Sequence, residues 1–314
     1  MNEINKTALV IKMRELAIRA GQEIIKIYET DEFDIETKED ASPVTRADKA
    51  ADAIITEGLA HAFPNITLVT EEQASTHAQN SNTFLIVDPL DGTKEFINKR
   101  GEFTVNIALV ESNEPVLGVV FAPALSRLFY TKADGTAVEE LGSLDPDDIG
   151  DVQRLRVRHS NNDALTAVAS KSHRDAATDE YLAKYNISEF KAAGSSLKFC
   201  LIAAGEADLY PRLGRTMEWD TAAADAILRA AGGKTLNFTT KIPLDYGKQE
   251  YENSFFIAFG AGVQISENWL LKWVSMGTIT IILTCARCIR CEKTLLFLAG
   301  DTILPNLART IRTR

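Results

Sequence analysis

Cysteine is scarce, with four among 314 residues. Cys200 sits alone in an apolar run and reads as a buried thiol. Cys285, Cys288 and Cys291 form "CARCIRC", three soft ligands with no fourth Cys or nearby His to complete a zinc or cluster site. Basic charge is in deficit: 34 Lys and Arg face 44 Asp and Glu, which argues against broad nucleic-acid backbone binding. A small phosphorylated ligand stays compatible with that balance, because a bound cation reverses the local field. Long apolar runs are absent as well. The fourteen mostly apolar residues between Lys272 and Arg287 fall short of the roughly 20 that a membrane span needs. The start, "MNEINKTALVIKMRELAIRAGQEI", lacks a signal peptide's apolar core and cleavage pattern, so a cytoplasmic address is the default expectation. No internal repeat, low-complexity segment or EF-hand loop is present.

What is there is enough chain for a large core and two domains. The first helix is amphipathic, with Leu9, Met13, Ala17 and Ala20 near one face. A polar turn or hairpin follows, then a helix that Thr45 can cap and whose first turn holds Asp48. "ITLVTEE" and "TFLIVD" read as strands around a loop, and "FTVNIALVES", "PVLGVVFAPA" and "RLFYTKAD" as a strand meander. Residues 1–152 are therefore an α+β domain, ended by the acidic, turn-rich passage around 145–153. Residues 153–258 alternate strand and helix as an α/β domain. Residues 259–314 are an atypical extension. From Ser266 onward seven basic residues meet three acidic ones on an apolar background, suiting an interfacial or partner-packing helix or an irregular tail.

Four acidic places stand out. They are "KEDASPVTRAD" with Asp40 and Asp48, "LVTEE" with Glu71 and Glu72, "IVDPLDGTKEF" with Asp88 and Asp91, and "MEWDTAAADA" with Glu218 and Asp220. Each has an ordinary explanation alone: a first-turn helix charge, a solvated pair, a turn residue, a helix N-cap. Asp88 fits least, because it follows "TFLIV", where an unpaired carboxylate is expensive. Strand ends in an α/β layout gather in one crevice, and several carboxylates there repel unless a cation intervenes. Oxygen ligands without flanking His or Cys suit Mg²⁺, which usually comes with phosphate. The N–H groups of Gly92 and Thr93 can meet a phosphate oxygen, and the Thr93 hydroxyl can stand beside a water. The residues alone thus point to metal-assisted hydrolysis of a phosphate ester.

"DPLDGT", the upstream "EE" and the later "WDTAAADAILRAAGG", in this order, resemble the inositol monophosphatase superfamily of Mg²⁺-dependent, lithium-sensitive phosphatases. The resemblance spans about residues 8 to 258 and implies a layered αβαβα sandwich. "KEDASPVTRAD", "DPLDGTKEFI", "FTVNIALV", "SKSH" and "GSSLKFCLIAAGEADLYPR" are similar to the bacterial 3′(2′),5′-bisphosphate nucleotidases of sulfur metabolism. That likeness implies removal of the 3′-phosphate of adenosine 3′,5′-bisphosphate, giving AMP and phosphate, with the sulfated nucleotide as a second substrate. Inositol or sugar phosphatases of the same fold are the nearest alternative, and a non-catalytic phosphometabolite-binding scaffold is the alternative of another class. The resemblance implies a first Mg²⁺ on Glu71, Asp88 and the carbonyl of Leu90, and a second on Asp88, Asp91 and Asp220. It further implies a weaker third site near Glu71, and Asp48 with Thr93 as the pair that activates water.

Glu71, Leu90, Asp91, Gly92, Thr93 and Asp220 are then expected around the scissile phosphate. Ser170, His173, Gly194, Ser196, Lys198 and Arg212 are candidates for the nucleoside and second phosphate. His173 reads equally as a surface-loop histidine, and Arg212 equally as a salt-bridge partner of Glu218. Lys198 adds charge near a helix start at Ser195 and Ser196. Two positions depart from the family pattern: Arg215 stands where a proline is usual, and Ala224 where a glycine is frequent. Bacterial relatives are often described as peripheral on the cytoplasmic face of the inner membrane; the basic, apolar tail is compatible with such a contact, although the resemblance does not extend to it.

Overall fold

The computed structural model describes residues 4–30, 33–37, 43–78, 81–169, 176–266, 279–282 and 294–297. Two compact units result, Met1–Gln264 and Ile265–Arg314. Helix α1 (Lys6–Tyr28) starts where Asn5 Oδ1 accepts from the N–H of Ala8 at 3.1 Å. It buries Leu9, Met13, Ala17 and Ala20, the expected stripe, together with Ile24. A hairpin of β1 (Glu36–Thr37) and β2 (Pro43–Val44) leads into α2 (Arg46–Ala62), which opens on a capping box between Thr45 and Asp48.

Strands β3 (Thr67–Thr70) and β4 (Thr83–Asp91) pair in parallel. After the short helix α3 (Thr93–Ile97), an antiparallel meander adds β5 (Thr104–Glu111), β6 (Glu114–Ala122), β7 (Arg127–Thr131), β8 (Ala137–Leu141) and β9 (Asp151–Arg154). Then follow β10 (Leu165–Ala169), α4 (Ala176–Leu182), β11 (Ile187–Ala192), α5 (Leu197–Ala203), β12 (Leu209–Arg212), α6 (Ala222–Ala230), β13 (Lys234–Asn237) and β14 (Phe256–Phe259). The second sheet has the order β11-β10-β12-β14-β13 and mixes parallel with antiparallel pairs.

The layers follow from strand alternation. On β4, Leu85 and Val87 join the core under α1 and α2, while Phe84 and Ile86 face the core shared with α5 and α6. Both faces are covered, which is why this strand reads as a continuous apolar run. Helices α5 and α6 fill the space between the sheets, and α4 packs on β12, completing the αβαβα sandwich. Helix α6 approaches β6 so closely that a Cβ on Gly118 would lie 2.0 Å from the carbonyl oxygen of Ala223. Ala224 is fully buried in that packing, so its methyl group belongs to the core and not to a ligand surface.

Two features differ from the sequence expectation. Strands β8 and β9 extend the first sheet through segments without strand composition, because Glu140 on β8 is neutralised by Arg14 of α1. The guanidinium Nε and Nη2 donate to Glu140 at 2.7 and 2.6 Å, and Nη1 and Nη2 also hold the carbonyls of Asp145, Pro146 and Asp148. The acidic passage is thereby tied to the first layer. In the second unit, β15 (Ile279–Ile282) pairs with β16 (Thr294–Phe297), so a strand stands within the stretch expected to admit a helix. "CARCIRC" lies outside the described residues. No helix among the described residues is long and apolar enough to cross a membrane.

Both side chains of the Arg14–Glu140 pair are buried, so Arg14→Ala strands a carboxylate and should lower stability by about 3–5 kcal/mol. Replacing both, as Arg14→Met with Glu140→Leu, should recover most of that loss. Urea unfolding of the three proteins checks this, and an unchanged midpoint for Arg14→Ala would contradict it.

Candidate active site

Asp88 and Asp91 are three residues apart, a spacing that in a regular strand turns side chains to opposite faces. The ladder solves this with a bulge. Asp88 pairs with Asn106 and Asp91 with Thr104, so β4 advances three residues while β5 advances two. Carboxylate oxygens of Asp88, Asp91 and Asp220 come within 4.8 Å of one another. Asp220 arrives from the segment before α6, where the Met217 N–H donates to its Oδ2 at 2.8 Å. Glu71 follows β3 and is fixed by its own N–H to the Val87 carbonyl at 3.1 Å.

Each of the three aspartates has a donor. The Leu90 N–H reaches Asp88 at 3.0 Å, and the Ser196 N–H reaches Asp91 at 2.6 Å. Asn106 Nδ2 lies 3.4 Å from the same Asp91 oxygen. Loss of surrounding water nevertheless raises Asp91, against the pull of Lys198 and the Ser196 N–H. It raises Asp220 too, with repulsion from Asp91 and then Glu71 adding to the effect. A cleft of hard oxygens that resist ionising together fits a divalent cation held by Asp88, Asp91 and Asp220.

Asp48 stands beside this cluster. Its Oδ2 accepts from the Thr45 N–H and hydroxyl at 2.7 and 2.6 Å, and its Oδ1 accepts from the Thr93 hydroxyl at 3.0 Å. Burial raises its proton affinity, although the Thr45 and Thr93 bonds work against that. Thr93 is set by Gly92, whose φ of +96° favours glycine and whose added Cβ would sit 2.3 Å from Ser195 Oγ. Ser195 Oγ lies 2.8 Å from the carbonyl oxygens of both Asp91 and Glu102, which compete for its one proton.

A cavity of about 630 Å³ opens over these groups, lined by Glu71, Asp88, Leu90, Asp91, Gly92, Thr93 and Asp220. Lys198, Arg212 and Arg215 line it too. Lys198 is buried, donates to the Ser195 carbonyl at 2.6 Å and lies 5.3 Å from the Tyr210 ring centre. Burial brings it down to about 8, opposed by Asp91. Arg212 Nη2 donates to the Arg215 carbonyl at 3.0 Å, and Arg215 Nε to Glu252 at 3.1 Å. Glu218 pairs with Lys248 at 2.6 Å, which takes it from the salt bridge considered for Arg212.

Other expected contacts fall elsewhere. The Ser196 hydroxyl lies behind Asp91, bonded to Asn106 Oδ1 at 2.7 Å and Thr104 Oγ1 at 2.9 Å. Gly194 abuts the Glu102 backbone. The N–H at this helix start thus serves Asp91 itself. Ser170 and His173 lie outside the described residues. Asn106, Ser195, Tyr210, His77 and Trp219 enter the site without having been singled out as site residues. Only Asn106 carried a signal, an amide inside the apolar run "FTVNIALV".

A layered sandwich with an oxygen-lined acidic cleft beside a bulged strand is the frame of a known class of proteins. The chain belongs to the inositol monophosphatase family, whose model matches residues 6–255. It is similar to the 3′(2′),5′-bisphosphate nucleotidase CysQ of Escherichia coli K12, 42% identical over 239 residues, covering 75% of this chain and 93% of that protein. The CysQ of Salmonella typhimurium is 44% identical over 237 residues, 72% of this chain and 92% of that protein. The crystal structure of CysQ from Bacteroides thetaiotaomicron, a bacterial member of the family, superposes with a TM-score of 0.73 at 36% identity, covering 83% of this chain and 100% of that one.

Raised carboxylates give a sign. Asp91 and Asp220 keep their protons to higher pH in the fold than in the unfolded chain, so the folded state binds more protons. Stability from this site is full below the ordinary carboxylate range and is lost as pH rises above it. The Mg²⁺-induced gain in Tm should therefore grow from about pH 5 to about pH 8, and Asp220→Asn should flatten that growth. A gain independent of pH in the unsubstituted protein would contradict the assignment.

Proposed function

We propose that the protein is a Mg²⁺-dependent 3′(2′),5′-bisphosphate nucleotidase that converts adenosine 3′,5′-bisphosphate to AMP and phosphate. The sulfated nucleotide is proposed as a second substrate. The observation that carries the proposal is the convergence of Asp88, Asp91 and Asp220 beside the Asp48–Thr93 pair, in a cavity that also holds Lys198 and Arg212. The names of the relatives supply the nucleotide class.

In this reading residues 1–152 supply most ligands, and 153–258 add Asp220, Lys198 and Arg212. Glu71, Asp88 and the Leu90 carbonyl would hold one Mg²⁺, and Asp88, Asp91 and Asp220 a second, with a weaker third near Glu71. Bound Mg²⁺ would supply Lewis acidity toward the phosphoryl group and lower the pKa of a ligated water. The protein's own part is proton handling and orientation. Thr93 already donates its hydroxyl proton to Asp48, so its oxygen presents lone pairs to a water in the cavity. As that water attacks phosphorus and the bond to the 3′-oxygen breaks, the water's proton passes to Thr93 Oγ1 while the Thr93 proton passes to Asp48. The leaving 3′-oxygen takes a proton from solvent, and Asp48 returns one to solvent. Burial makes Asp48 a better base for this step. Lys198 and Arg212 would take the second phosphate, Arg212 in the two-pronged manner of a guanidinium.

Phosphate release should be measured from adenosine 3′,5′-bisphosphate and inositol 1-phosphate in parallel, with Mg²⁺ and with or without lithium. Mg²⁺-dependent, lithium-inhibited preference for the nucleotide is expected, and preference for inositol phosphate would sink the assignment. Asp88→Asn removes the shared ligand and should reduce kcat/KM by more than ~100-fold. Retention of most activity would refute its bridging role.

A further inference from the structure

Glu71 and Asp220 repel each other across the cleft, yet they belong to segments far apart in sequence. Something must hold the loop after β3 against the segment before α6. Within loop residues 71–78 the side chains of Gln73, Ala74 and Ser75 are exposed and offer no such contact. His77 is the one aromatic ring of that loop, and it touches both segments. Its Nε2 lies 2.8 Å from the carbonyl oxygen of Thr70, the residue before Glu71. A carbonyl only accepts, so Nε2 carries the proton and donates it. The imidazole stacks on Trp219, the residue before Asp220, with ring centres 5.0 Å apart and planes at 27°. Tyr251 completes the group, 6.0 Å from His77 and 6.1 Å from Trp219. Its backbone carbonyl accepts from the Glu218 N–H at 2.7 Å, fixing the Trp219 side. On the other side Thr70 Oγ1 and Gln73 Nε2 donate to Asp52 of α2 at 2.6 and 2.7 Å.

We propose that His77 is a positioning residue for the cation site, holding the Glu71 loop against the Trp219–Asp220 segment so that both acids face one cluster of ions. The proposal rests on Glu71 and Asp220 being cation ligands. The ring sets the spacing through its stack, and the Nε2–H sets the loop's rotation through Thr70. His77 lies on the cavity wall beside the acids and acts through the two segments it joins.

Mn²⁺ binding by electron paramagnetic resonance tests this without reference to turnover. His77→Ala should weaken Mn²⁺ binding about 10-fold and raise the Mg²⁺ activation midpoint in parallel. The loss of activity at limiting Mg²⁺ should shrink as Mg²⁺ is raised. His77→Phe keeps the stack and should restore most of the affinity, whereas His77→Gln keeps only a donor and should restore less. A His77→Ala protein with a lower Tm but unchanged Mn²⁺ affinity would make the residue merely structural and overturn the proposal. Asp220→Asn separates the two ideas. If Asp220→Asn binds Mn²⁺ as tightly as the unsubstituted protein, the ligand assignment itself falls. If it loses Mn²⁺ while His77→Ala does not, only the role of His77 falls.

Discussion

Asp88, Asp91 and Asp220 present like charges within 4.8 Å of one another, Asp88 buried and the other two half-buried at the floor of a cavity. That repulsion sets the requirements for everything around it. A β-bulge aims two of the acids, backbone N–H groups of Leu90, Ser196 and Met217 each serve one acid, and the Asn106 amide braces Asp91 and the Ser196 hydroxyl together. A hydrogen bond to a charged group contributes about 1.5–3 kcal/mol. The raised proton affinities of Asp91 and Asp220 show that such bonds do not offset the loss of water. What is still lacking is positive charge, and a divalent cation is the compact way to bring it.

Lys198 does not fill that role, although it sits close enough to Asp91 to influence it. The same loss of water that hinders the acids from ionising pulls this ammonium down to about 8. Its proton is held by the Ser195 carbonyl and its charge faces the Tyr210 ring. Arg212 and Arg215 line the same cavity, and both Lys198 and Arg212 are close enough to the acids to act on Asp91 and Asp220. One cleft thus offers carboxylates to a cation and basic groups to an anionic ligand.

How far the site could be read from sequence depended on where the stabilising partner lay. Asp88, Asp91 and Asp220 stood out because each follows or opens an apolar segment, and the layered fold brings them together. The α1 face and the Thr45 cap were equally legible, being local. Strands β8 and β9 were not, since Glu140 makes its segment look like a loop until Arg14 arrives from α1. His77 escaped for the same reason: nothing near it in sequence announces Trp219. Ser196 misled in the other direction, because a serine at a helix start suggests an external anion, whereas the anion served is Asp91.

The close seating of α6 on Gly118 bears on how the acidic cluster is assembled from distant parts of the chain. Asp88 belongs to the first sheet, while Asp220 lies in the segment before α6, which packs between the sheets. A methyl-free surface at Gly118 lets that helix seat at its observed depth. Without that seating the chain would hold only part of the cluster. A divalent ion bound there would favour the completed packing of α6 by mass action, linking occupancy of the cleft to the stability of the whole unit.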